Sequence, residues 1–128
     1  MATTDITVSD HLSKIPPAVR PTVQAARRMV KASAPRAKEL PYQSRPPRSS
    51  RAMYKIIRYA VDDEYIVAIG TFPTYATLFF GRGRELDDGS GLLHGSGKDS
   101  RFIRLASPAD VERPAVKRLV RRAFALAG

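Results

Sequence analysis

Met53-Tyr54-Lys55-Ile56-Ile57-Arg58-Tyr59-Ala60-Val61-Asp62-Asp63-Glu64-Tyr65-Ile66-Val67-Ala68-Ile69-Gly70-Thr71-Phe72-Pro73-Thr74-Tyr75-Ala76-Thr77-Leu78-Phe79-Phe80 is the stretch that decides how this chain folds. From Met53 to Val61, Tyr54, Ile56 and Arg58 alternate with Met53, Lys55, Ile57 and Tyr59, the period of two that sends neighbours to opposite faces of a strand. Asp62-Asp63 turns that strand, as a two-residue acidic hairpin, into a second one running from Glu64 to Phe72. Phe72-Pro73-Thr74 turns the second into a third, Tyr75 to Phe80, whose Leu78, Phe79 and Phe80 suit a strand buried on one face and partly on the other. Turns this short leave no room for a crossover, so the pattern predicts an antiparallel meander.

Working outward, Ile15-Pro16-Pro17 stops whatever precedes it, because proline disfavours a helical residue before it and has no N–H to donate. The spacing of Val19, Val23, Ala26 and Val30, with Met29 beside them, then predicts a helix that holds Pro21 in its first turn and ends at Ala34-Pro35. Glu39 to Gln43 reads as an extended piece that Pro41 confines to a sheet edge, and Arg45-Pro46-Pro47-Arg48-Ser49-Ser50-Arg51 as a solvated loop. Beyond the meander, Gly81-Arg82-Gly83-Arg84 breaks the strand, and Glu85 to Gly91 continues as an exposed loop. Phe102 to Leu105 is a last strand, and Ser107-Pro108-Ala109-Asp110 reads as an N-cap with proline at the first helical position. Pro114 to Leu126 then places Val116, Leu119, Val120, Ala123 and Leu126 on one arc, with Lys117, Arg118, Arg121 and Arg122 opposite. The expected fold is α+β: a two-layer sandwich whose antiparallel sheet of about five strands is flanked on one face by N-terminal and C-terminal helices. Residues 1–14 read as a flexible arm or short docking helix and residues 15–128 as a single domain.

A chain of 128 residues can bury roughly two-thirds of its unfolded surface without staples. It has no cysteine, which removes disulfides, thiolate nucleophiles and cysteine-based metal sites and fits a reducing compartment. No apolar run approaches the ~20 residues of a membrane span, and the start carries no signal-peptide pattern, so a cytoplasmic protein that keeps away from membranes is expected. Lysine and arginine number 22 against 12 aspartates and glutamates, a formal charge of +10 that favours phosphorylated ligands, polyanions or acidic partners. The same excess also serves solubility.

The most specific signature is Leu92-Leu93-His94-Gly95-Ser96-Gly97-Lys98-Asp99-Ser100-Arg101-Phe102-Ile103-Arg104-Leu105. Gly95, Ser96, Gly97 and Lys98 suit an anion nest, in which successive backbone N–H groups face a phosphate or carboxylate and the lysine adds a charge. They equally suit a tight turn whose glycines serve geometry. It is not the phosphate loop of NTPases, since Leu92 replaces the first glycine and Asp99 stands where a magnesium-binding hydroxyl belongs. Arg101 and Arg104 follow, yet on a strand they point to opposite faces, so only one of them can easily join Lys98.

The Pro-Pro turn before a helix, Tyr42 ahead of a proline-rich link, the meander, Leu93-His94-Gly95-Ser96-Gly97-Lys98, Arg101-Phe102-Ile103-Arg104-Leu105 and a terminal helix together resemble the YdhG-like family. This is a group of largely uncharacterised bacterial domains placed with YjbR-like and frataxin-like proteins. The resemblance spans roughly Asp10 to Ala125 and implies a compact α-β sandwich inside the cell. It carries two contrasting functions, since frataxin-like relatives are regarded as iron chaperones and YjbR-like ones have been proposed to bind DNA. The iron role uses an acidic first helix, whereas here Arg20, Arg27, Arg28 and Lys31 occupy that helix and no carboxylate lies between Ile15 and Ala34.

Other candidates are weaker. His94 could ligate a metal with Asp87 or Asp88, but no second histidine is near, and His11 sits in the arm. Asp62-Asp63-Glu64 and Glu85-x-Asp87-Asp88 lack the spacing of a calcium loop. Lys117, Arg118, Arg121 and Arg122 could contact nucleic-acid phosphates, and the strand tyrosines could stack bases. Tyr42, Arg45 and Ser96 are the polar residues best placed to meet in one cleft, but no catalytic constellation emerges. The expectation is a non-enzymatic binder of a small anionic or phosphorylated ligand through Gly95, Ser96, Gly97, Lys98, Arg101 and Arg104, with no metal or cofactor. An iron chaperone and a nucleic-acid binder are the alternatives.

Overall fold

The computed structural model describes residues 15–43, 55–72, 74–86, 91–95 and 99–127. Along them run α1 (Arg20–Ser33), β1 (Lys38–Gln43), β2 (Lys55–Val61), β3 (Glu64–Thr71), β4 (Ala76–Phe80), the single turn α2 (Gly83–Leu86), β5 (Arg101–Leu105), α3 (Pro108–Val111) and α4 (Pro114–Ala127). The strands make one antiparallel sheet in the order β1-β2-β3-β4-β5. The predicted α+β sandwich is therefore the observed one. The expected arm (1–14), the loop at 45–51 and Met53-Tyr54 lie outside the described residues.

Strand alternation divides the sheet into two chemically different faces. Ile57, Ile69, Leu78 and Ile103 pair across four strands, as do Tyr59, Val67 and Phe80 across three, and these rows face the helices. Against them lie Val19, which precedes α1, and Val23, Ala26 and Val30 of α1, with Val116, Leu119, Val120 and Ala123 of α4. Each fully buried side chain of this size contributes about 1.5–3 kcal/mol, which is why the periodic apolar positions of the sequence locate the core. The opposite rows are Leu40, Arg58, Ala68, Phe79 and Phe102, and Ile56, Gly70, Thr77 and Arg104. Pro41 sits in β1, the edge strand, where a missing N–H costs least.

The acidic hairpin forms as expected. Asp62 and Asp63 both take positive φ (51° and 65°), the conformation a two-residue turn needs to match the twist of its strands. Three expectations change. The stretch after Gly83 is not wholly an exposed loop, because α2 forms there and buries Leu86, which touches both α4 and β5 through its element. A lone leucine between acidic neighbours has no periodicity to mark it, but it closes the end of the core. Ser107 occupies the N-cap position of α3, yet its hydroxyl makes no capping bond; the Asp110 carboxylate instead accepts the Ala106 N–H at 2.8 Å. Leu126, expected on the buried arc of α4, is 39% exposed, in the last turn of the helix.

One polar cluster ties the layers together. Arg27 of α1 donates from Nε and Nη2 to the two Glu39 oxygens at 2.9 and 3.1 Å, and the Tyr59 hydroxyl donates to Oε2 at 2.7 Å. Lys31 Nζ stands 3.7 Å from the same carboxylate. Burial opposes the Glu39 charge, but the hydrogen bonds from Arg27 and Tyr59 and the nearby cations outweigh it and hold the carboxyl below its ordinary range. Burial, with the bond to Glu39, pushes the Tyr59 phenol far up, so it remains a donor.

Candidate anion site at the sheet edge

The outer edge of β5 is covered in part by the segment leading into the glycine turn. His94 and Phe102 exchange both backbone hydrogen bonds, each 2.9 Å, so the two residues sit directly opposite with their rings 5.9 Å apart. Gly95 follows at φ +116°, a conformation that favours glycine. Ser96, Gly97 and Lys98, and with them most of the expected nest, lie outside the described residues. The chain is held again at Asp99, whose carbonyl accepts the Arg84 N–H at 2.8 Å.

The two arginines of the signature part company, as the strand period predicts. Arg101 shares a row with Phe80 on the helix side, packs against Gly83, and donates from Nη1 to the Ser100 carbonyl at 2.8 Å. Arg104 emerges on the opposite face, its guanidinium 4.6 Å from the centre of the Tyr75 ring. Arg104 then lines a cavity of about 420 Å³ with Gly91, Leu92, His94, Ile103, Arg113 and Ala115. Of the six expected ligand residues, then, Arg104 lines the cavity, Gly95 adjoins it, Arg101 is turned elsewhere, and Ser96, Gly97 and Lys98 lie outside the described residues.

Arg113 was not singled out by its sequence context. It is an isolated cation between α3 and α4, and only the return of the chain across β5 brings it beside Arg104. Neither arginine has a carboxylate partner among the described residues. His94 and Arg104 are exposed, so the cavity opens to solvent. Two guanidinium forks can grip a phosphate or carboxylate by paired hydrogen bonds, and among the described lining residues no acidic side chain repels it.

A second basic region lies between the helices. Neither α1 nor α4 contains an aspartate or glutamate. A groove of about 430 Å³ between them is lined by Arg28, Met29, Ser33, Glu112, Lys117 and Arg121, among others. The one carboxylate among its described lining residues, Glu112, is held by Lys117 at 2.8 Å, and that bond keeps its pKa below the ordinary value. Arg118, Arg121 and Arg122 are exposed, as the helical pattern predicts.

The remaining candidates are placed as follows. Glu64 and Glu85 both face Arg82, at 3.9 and 2.6 Å. Among the described residues no three histidine, aspartate or glutamate side chains gather where they could hold a metal ion. Asp87, Asp88, His11, Arg45, Ser96 and the side chain of Tyr42 lie outside the described residues. Tyr59 faces the core, whereas Tyr65 lies under Arg58 at 5.9 Å, and burial pushes its phenol up to about 12 against the charge of that arginine. No helix among the described residues is long and apolar enough to cross a membrane. No family model matches the chain, and no curated protein or solved structure matches it either.

Proposed function

We propose that this chain is a non-enzymatic binding protein for a small anionic or phosphorylated ligand, taken up at the β5 edge beside the glycine turn. Support comes from the convergence of Arg104 and Arg113, neither engaged with a carboxylate among the described residues, on an open cavity next to Gly95. Charged hydrogen bonds of this kind are worth about 1.5–3 kcal/mol each. Membership of the YdhG-like grouping and a cytoplasmic setting belong to the same proposal. Thermal unfolding with inorganic phosphate and pyrophosphate tests it. A ligand at 100 times its Kd adds about 2.7 kcal/mol, several degrees in Tm for a domain of this size. Arg104→Gln with Arg113→Gln is expected to remove the shift, and Gly97→Val with Lys98→Ala to reduce it. If no anion stabilises the unaltered chain, the proposal fails.

A second function, nucleic-acid binding through the α1/α4 face, is favoured by one specific observation: both helices are free of carboxylates while Arg28, Lys117 and Arg121 rim the groove between them. Phosphate-backbone binding weakens with salt in proportion to the charges engaged. Changing Arg28, Arg118, Arg121 and Arg122 to Gln should make the slope of log K against log salt for a short DNA duplex shallower by up to ~3.6. An unchanged slope would exclude this face. The iron-chaperone alternative has no comparable cluster among the described residues.

A further inference from the structure

We infer that the ligand of the β5-edge site is a nucleotide, a phosphate attached to a flat heteroaromatic ring. The inference rests on the anion site proposed above and adds what the rest of the ligand meets there.

Inorganic phosphate needs only the two arginines. The cavity offers more, for its volume of about 420 Å³ falls in the range of small-molecule sites. Two planar surfaces border it. One is the exposed imidazole of His94, tilted 41° against Phe102, which in turn lies 6.2 Å from Phe79. The other is the Arg104 guanidinium, already seated over Tyr75, whose ring stacks on Phe72 at 4.7 Å with only 10° between the planes. An arginine plane backed by an aromatic ring loses little side-chain freedom when a base stacks on it, and such planes are common partners of nucleobases.

The rest of the lining also discriminates. Gly91, Leu92, Ile103 and Ala115 are apolar, and among the described lining residues there is no hydroxyl, amide or carboxylate side chain. The faces of a base can bury against these apolar and planar groups, a gain that ribose 5-phosphate, which lacks the base, does not share. Charge at Arg104 and Arg113 beside planar surfaces at His94 and Arg104 therefore matches a nucleotide better than either of its parts.

Titration of the full chain with adenosine monophosphate, ribose 5-phosphate and inorganic phosphate tests this. The nucleotide is expected to bind at least about tenfold more tightly than ribose 5-phosphate, from one stacked base. His94→Ala should bring the nucleotide affinity down towards that of ribose 5-phosphate while leaving the latter unchanged, and His94→Phe should retain the preference. Arg113→Gln should weaken all three. Equal affinities for nucleotide and ribose 5-phosphate overturn the nucleotide inference and leave the anion site standing; no binding of any of the three overturns both.

Discussion

Replacing Glu39 with alanine is expected to destabilise the fold by about 3 kcal/mol, measured by urea unfolding. The side chain is only 15% exposed and accepts three hydrogen bonds, two from Arg27 and one from Tyr59. Its loss leaves a half-buried guanidinium and a buried phenol without their acceptor, and the penalty for abandoned partners exceeds the net worth of the bonds themselves. Glu39→Gln keeps an acceptor for Tyr59 but loses the charge opposite Arg27 and Lys31, so its cost should be smaller. A Glu39→Ala variant within 0.5 kcal/mol of the parent, roughly the size of an ordinary surface change, would mean that water substitutes for the carboxylate.

The same residue makes a pH-dependent contribution of definite sign. Its folded pKa is depressed below the ordinary 4.5, so the contribution is complete above that value and is lost as pH falls through the lower, folded pKa. Arg27, lifted by its bond to Glu39, stays charged throughout that window and adds no slope. The stability gap between the parent and Glu39→Gln should therefore close as the medium is acidified below about pH 4.5.

The sandwich was legible because its core is periodic. Val19, Val23, Ala26 and Val30 recur every three or four residues and Ile57 and Tyr59 every two, and all are buried. The split between Arg101 and Arg104 followed from the same period. Arg113 was invisible as a site residue because it does not neighbour the glycine turn in sequence, and Tyr75 stood out only as one of several strand tyrosines able to stack bases; the sheet and the return from α3 bring them to Arg104. Glu39 was equally silent, since its role comes from two partners 12 and 20 residues away. Patterns of burial are local, whereas polar sites are assembled by tertiary contact.

Gly83→Ala should cost about 3 kcal/mol and disturb the approach to the anion site, although one methyl group is all that is added. The sequence suggests a glycine that breaks a strand, but the structure assigns it a packing role. A Cβ at Gly83 would meet the Arg101 Cβ and stand 2.7 Å from the Arg101 backbone nitrogen, at the start of β5. Neither atom is the end of a flexible chain, so relief requires α2 and β5 to separate. Such a separation would strain the Arg84–Asp99 hydrogen bond that anchors the end of the glycine turn, and would expose Leu86. Gly91→Ala is the informative contrast: Gly91 has φ +81° with open space around it, so its substitution brings only the ~1–2 kcal/mol of a left-handed conformation. Amide exchange at Phe102 to Leu105 should accelerate in Gly83→Ala and hold steady in Gly91→Ala. If both variants behave alike, the contact with Arg101 is relieved locally, and β5 does not depend on α2 for its position.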